Sequence, residues 1–171
     1  PRREAERVAR VATSRNVTKS TELPSSPELA LVDGDIGEAA TAARVAETAI
    51  STFGTIDALV NNAGIFFTKP FTDYTFDDYL AITAVNLTGF FHITQRAIPH
   101  MINSGGGHIV NVSTSLVDNA DSTRPAALPA LTKGGLVAVT RSLAVEYASR
   151  GVRVNAVSLG VIQTPAHDPS S

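Results

Sequence analysis

Residues 56–64 read IDALVNNAG. The first five make a short, largely apolar strand, and Asn61, Asn62, Ala63 and Gly64 end it abruptly. Upstream, Ala42, Val45, Ala46, Ala49, Ile50 and Phe53 recur at helical spacing, and Gly54 closes the run. Before that helix, ELALVDGDI holds a strand at 29–32, stopped by Asp33 and Gly34. Residues 16–28, rich in Ser, Thr and Pro, form a loop. Residues 7–12 alternate polar and apolar in a short strand that runs into TSRN at 13–16. Downstream, Thr75 and Asp78 have the spacing of a capping box ahead of a long helix to about Ile102. Ile82, Val85, Phe90 and Ile93 lie on its apolar stripe, and Pro99 is placed to kink its end. A turn at 104–107, a strand at 108–112, a loop at 113–128, a helix over about 129–150 and a strand at 152–157 complete the pattern.

Short apolar strands separated by helices predict an α/β fold, with a parallel sheet covered on both faces and right-handed crossovers. The 171 residues suit one domain spanning 1–171. Fourteen basic against sixteen acidic residues give a net charge of −2, which offers nucleic acid or an anionic membrane no electrostatic attraction. Cysteine is absent, which excludes disulfides, thiol catalysis and zinc–thiolate sites. The four histidines lack ligand spacing, and there is no Gly-x-Ser-x-Gly elbow. No apolar run reaches the ~18 residues of a membrane helix, and PRREAERVAR lacks a signal peptide's apolar core. A cytoplasmic protein is the expectation. The chain begins with Pro and stops at AHDPSS, a few residues after a strand. Both ends suggest a piece of something longer.

In an open parallel sheet, ligands bind beyond the carboxyl ends of the strands. Five small polar or Gly-containing loops leave those ends here: 13–16, 33–36, 61–64, 113–115 and 158–164. Two residues stand out on the helices. Asn86 shares the apolar face of Ile82 and Ile93, where a buried amide needs partners. Lys133 stands on the face of Leu136, Val137 and Thr140, an unusual place for a lysine.

These loops, with Asp35-Ile36 after a strand, the Asn of VNLTG and the run RGVRVNAVSLGVIQT, resemble the short-chain dehydrogenase/reductase family over residues 5–164. The resemblance implies a Rossmann-type, doubly wound sheet and an NAD(P)-dependent oxidoreductase. Such an enzyme transfers hydride between nicotinamide and a small alcohol or carbonyl compound. It places Asp35 and Ile36 against the adenine, although Asp35 could equally cap a helix. It places Asn61, Ala63 and Gly64 behind the adenosine ribose, with Gly64 letting the backbone approach the cofactor. Gly160, Ile162 and Thr164 fall at the nicotinamide end. Asn86 becomes a brace and proton-relay residue, and Lys133 the nicotinamide-ribose lysine. Thr114, flanked by Ser115, takes the position of the catalytic serine. Ser14 and Arg15, with no carboxylate in their loop, imply NADP(H) in preference to NAD(H). A homodimer or homotetramer through the two long helices is also implied.

The chain departs from the family in three ways. Four residues before Lys133 stands Pro129, where the family has the tyrosine that acts as acid and base. Tyr74, Tyr79 and Tyr147 are not spaced to replace it. The family's N-terminal Gly-rich turn, with the first strand, is missing, and so is the last strand. In the family's order the missing first strand lies between those at 7–12 and 56–60, so unpaired edges are expected there. Leu159-Gly160 stands where the family has Pro-Gly. A catalytically inactive nucleotide-binding or scaffold relative is therefore the alternative reading, and this piece alone is expected to be inactive.

Overall fold

The computed structural model describes residues 8–20, 23 and 25–160. Five strands and their helices follow the anticipated order. They are β1 (Arg10–Ser14), β2 (Leu29–Asp33), α1 (Ala39–Phe53), β3 (Ala58–Asn61), α2 (Phe76–Thr83), α3 (Phe90–Asn103), β4 (Gly107–Thr114), α4 (Ala127–Tyr147) and β5 (Val152–Leu159). All pairings are parallel. They form two sheets, β1–β2 and β3–β4–β5. Among the described residues only β4 is paired along both edges, so β1 and β3 carry the open edges expected of a sheet without its middle strand.

Local chemistry explains the helix ends. Thr75 and Asp78 form the anticipated capping box, Asp78 N donating to Thr75 Oγ1 at 3.1 Å and Thr75 N to Asp78 Oδ2 at 2.9 Å. Gly54 ends α1 in the left-handed region at φ 84°. The long helix is not uniform: Ala84–Gly89 is a π-helical segment between α2 and α3. Helix α3 runs on through Pro99 to Asn103.

All five strands differ in extent from the sequence reading: β2 ends one residue later at Asp33, β3 lies at 58–61 and β5 runs on to Leu159. β1 lies at 10–14 because its register is set by β2, with Arg10 opposite Leu29 and Ser14 opposite Asp33. Thr13 Oγ1 also donates to the Val32 carbonyl at 2.8 Å. β4 continues to Thr114 because β5 stays beside it as far as Leu159. Ser113 and Thr114 are therefore strand residues, not loop residues.

The core lies between the three-stranded sheet and helices α3 and α4. Ala97, Ile98 and Met101 of α3 pack on Ile109, Val152 and Val154. Alternation along β4 buries Gly107, Ile109, Asn111 and Ser113 and leaves His108, Val110, Val112 and Thr114 on the other face less covered. Val60, on that second face, is 61% exposed, and Val157 and Leu159 are exposed too. Helices on both faces were expected; among the described residues only one face of this sheet is covered. Right-handed crossovers stepping the same way along the sheet put successive helices on one side.

Candidate functional site

The site forms where β3 and β4 end and helix α4 passes behind them. Asn86 sits in the π-helical segment, where one extra residue per turn re-aims the side chain. It is 1% exposed and on the same buried side as Ile82 and Ile93. Its Oδ1 accepts from Ile65 N at 2.9 Å, and its Nδ2 donates to the Ile65 carbonyl and to Thr132 Oγ1, each at 3.1 Å. One amide thus ties the loop after β3 to helix α4.

Lys133 follows Thr132 and is 8% exposed. Its Nζ donates to the Val112 carbonyl at 2.8 Å, close to the end of β4. Burial pulls its pKa below the usual lysine value, because the charged form loses its hydration there. Ser113 Oγ donates back to the Lys133 carbonyl at 3.2 Å. A β-carbon on Gly64 would stand 3.0 Å from Lys133 Nζ and 3.2 Å from Asn86 Oδ1. The loop after β3, the π-helical amide and the lysine therefore meet at one point, which a side chain at residue 64 would crowd.

Thr114 closes β4, and its Oγ1 accepts from Leu116 N at 3.4 Å, leaving its own O–H to donate. Ser115 accepts from the Asn119 amide through its carbonyl at 3.3 Å, and its side chain is half-buried. Pro129 is under 2% exposed, in the first turn of α4, where a missing N–H costs nothing. Tyr74 is fixed elsewhere: its hydroxyl donates to the Phe67 carbonyl at 3.1 Å and accepts from Lys69 N at 3.2 Å. Tyr79 is exposed on α2, and Tyr147 ends α4, where Glu146 raises its pKa.

Asn61 is buried beneath the sheet, not turned to the rim. Its Nδ2 donates to Thr94 Oγ1 at 3.0 Å and to Asn111 Oδ1 at 2.8 Å, and Asn111 Nδ2 donates to Thr140 Oγ1 at 2.8 Å. This buried row joins α3, β3, β4 and α4 directly below the site. Sequence reasoning passed over Thr94, Asn111, Thr132 and Thr140 as participants. The available signal was Asn111 inside the apolar run HIVNV, in register with Asn61 across the parallel pair.

On the far side, Asp35 Oδ1 accepts from Gly37 N at 2.8 Å, bracing the turn before α1 instead of capping the helix itself. Ile36 packs on Gly89, where any β-carbon would come within 2.8 Å of Ile36 Cγ2. Ser14 and Arg15 are exposed where β1 ends. Asp33, at the end of β2, is held by the Thr18 hydroxyl and N–H, which keep its carboxyl below the ordinary range. Ala63 is exposed, and Gly160 borders open space at the end of β5. Ile162 and Thr164 lie outside the described residues. Among those described, no cluster of His, Asp and Glu could hold a metal ion, and no helix is long and apolar enough to cross a membrane.

Parallel strands with small polar loops at their carboxyl ends, and a buried lysine and asparagine among them, are the features of a Rossmann-type α/β fold. A family model described as Enoyl-(Acyl carrier protein) reductase matches residues 3–171. The chain is 41% identical over 123 residues to the 3-oxoacyl-[acyl-carrier-protein] reductase FabG of Thermotoga maritima, covering 71% of this chain and 48% of that one. It is 38% identical over 134 residues to the oxidoreductase UcpA of Escherichia coli K12, covering 78% and 51%. Among solved structures, it resembles a gluconate 5-dehydrogenase of Burkholderia cenocepacia in complex with NADP and tartrate, with a TM-score of 0.80 and 28% identity, covering 95% and 67%. A short-chain alcohol dehydrogenase of Sinorhizobium meliloti, described as putative, gives a TM-score of 0.81 at 29% identity, covering 94% and 65%. The chain belongs to the short-chain dehydrogenase/reductase family of oxidoreductases. It spans about half the length of the curated relatives it matches.

Proposed function

We propose that the protein is an NAD(P)-dependent oxidoreductase acting on a small alcohol or carbonyl compound, with the junction of Gly64, Asn86 and Lys133 at its centre. The observation that carries this reading is a lysine amine kept buried at the end of β4 and backed by a buried amide. Pro129 favours the inactive alternative. Yet a chain that had lost its chemistry has no use for a buried lysine, which is costly to retain.

The cofactor, when bound, supplies or accepts the hydride. The residues present suit it: exposed Ser14 and Arg15 at one end of the rim, the turn at Asp35 and Ile36 beside them, and Lys133 at the other. The amine of Lys133 is a donor for ribose hydroxyls. Asn86 holds the loop at Ile65 against α4, which fixes the floor of the pocket. Thr114 offers its O–H to the substrate oxygen, and Ser115 stands next to it. Neither hydroxyl has an activating partner, so the alkoxide left by hydride transfer is protonated inefficiently. Positioned acid catalysis contributes about 10²–10⁴ in rate, and Pro129 supplies none of it. Weak or narrow activity follows.

The guanidinium of Arg15 is exposed and, among the described residues, makes no hydrogen bond. Its fork suits the 2′-phosphate of NADP(H). Exposed Phe76, Leu80 and Phe91 on the long helix, with Leu131 and Val145 on α4, support pairing of these helices between copies. Cytoplasmic residence goes with the same reading. Titration with NADPH and NADH, followed by nicotinamide fluorescence, tests the cofactor assignment. NADPH should bind more tightly, and Arg15→Ala should remove the difference. Equal binding of both, unchanged in Arg15→Ala, would overturn the preference.

A further inference from the structure

A cleft of about 500 Å³ opens between α1 and α3, and none of its lining residues belongs to the site at β3, β4 and α4. Small-ligand sites run to roughly 300–1,000 Å³. Its floor is apolar because alanine recurs on one face of α1: Ala43 and Ala46 line it with Ile50, and the Pro99 ring meets them from α3. Glu47 and Ser51 of α1 and Arg96 and His100 of α3 supply the polar lining. Just beyond the helix ends, Thr55 Oγ1 donates to Ser104 Oγ at 3.1 Å. With their C-terminal ends linked and one cleft between them, the two helices run the same way. Glu47 and Arg96 each stand eight residues before that link, and Ser51 and His100 each four. At ~1.5 Å of rise per residue, the acid and the guanidinium share one level, with the serine and the imidazole about one turn further on. Opposite charges so placed are expected to pair. Yet among the described residues Glu47 and Arg96 stand beyond ion-pair distance, and neither side chain makes a hydrogen bond. Pro99 adds an acceptor: having no N–H, it leaves the Gln95 carbonyl, one turn back against its ring, without a helical donor.

We propose that the cleft between α1 and α3 binds a free α-amino acid with an apolar side chain. Its polar groups match a zwitterion. The Glu47 carboxylate and the Gln95 carbonyl accept from the ammonium, and the Arg96 fork, with the His100 ring beside it, donates to the carboxylate. The apolar side chain lies on Ala46, Ile50 and Pro99. A ligand carrying only negative charge would meet the Glu47 carboxylate, and one carrying only positive charge the Arg96 guanidinium, so a molecule with both charges is preferred to either. Glu47 and Arg96 are exposed at the rim, where an ion pair with a ligand is screened by water, so affinity rests on both charges and the apolar floor together. No residue of the Lys133 site lines the cleft, so the amino acid is not the compound that exchanges hydride.

The isotope-labelled full chain is titrated with L-leucine at neutral pH, and the backbone amide signals are followed by NMR. Saturating shifts are expected at residues 43–51 and 96–100. Isocaproate, which lacks the ammonium, and isopentylamine, which lacks the carboxylate, present the same side chain. Each should bind about two- to fivefold more weakly than L-leucine, the worth of one exposed ion pair. Glu47→Gln and Arg96→Gln should each weaken L-leucine by a similar factor. Both residues are exposed, and amide signals unchanged away from the cleft verify that each variant folds. The absence of saturating shifts on α1 and α3, an analogue that binds as tightly as L-leucine, or L-leucine binding unchanged in both variants would overturn the proposal. No nicotinamide is present in this test, so its failure leaves the hydride-transfer reading standing.

Discussion

The side chain of Lys133 occupies the space that Gly64 leaves: a β-carbon at residue 64 would stand 3.0 Å from Nζ. Because the atom it meets is the end of a flexible side chain, Gly64→Ala should cost little stability, within about 1 kcal/mol. It should displace the amine from the Val112 carbonyl and weaken nicotinamide binding. Calorimetry and NADPH titration of the same variant separate the two effects.

Asn111 is the centre of the buried polar row and serves both Asn61 and Thr140. Asn111→Ala takes one hydrogen bond from Asn61, which keeps Thr94, and one from Thr140, which keeps the Leu136 carbonyl, a loss of about 1–3 kcal/mol. Asn61→Ala should cost a similar amount, and the double variant less than the sum, since the two share one hydrogen bond. Urea unfolding of the four proteins measures this coupling.

The order of strands and helices was legible because each strand is a short apolar run closed by small polar residues. Its limits were not. Thr114 reads as loop but is strand, because Leu159 on β5 stays paired with it, and that pairing lies 45 residues downstream. The positions of Asn86 and Lys133 on apolar stripes were visible, because a polar residue at helical spacing among apolar ones is conspicuous. The role of Gly64 was not: the glycine makes room for a lysine that only the tertiary fold brings to it. The side chain of Asn61 likewise turned inward for a partner, Asn111, that sequence separation hides.

Burial holds the Lys133 pKa below its unfolded value of 10.5. The unfolded chain therefore binds more protons in the window between the lowered value and 10.5, and stability gains with rising pH there. Below the lowered value the burial penalty is fully present. Lys133→Met removes the titrating group, so its stability relative to wild type should fall as pH rises from neutral to about 10. Thermal unfolding across that range checks the sign.

Met101 is fully buried between α3 and the sheet. Met101→Ala should cost about 2–5 kcal/mol, as a large core side chain is lost. Unfolding in urea reads this directly, and a loss well below that range would mean the site can collapse.

Deuteride transfer tests the proposed chemistry most directly. The protein is incubated with NADPH carrying deuterium at the nicotinamide C4 and a panel of small aldehydes and ketones, and the alcohols formed are examined by mass spectrometry. Slow transfer of label is expected when the residues are tested within the full-length protein. It should be lost in Lys133→Ala, retained in Tyr74→Phe, Tyr79→Phe and Tyr147→Phe, and faster in Pro129→Tyr where the buried position accepts the ring. Bound NADPH with no label in any product, or turnover that survives Lys133→Ala and is lost with one of the tyrosines, would contradict hydride transfer at this site.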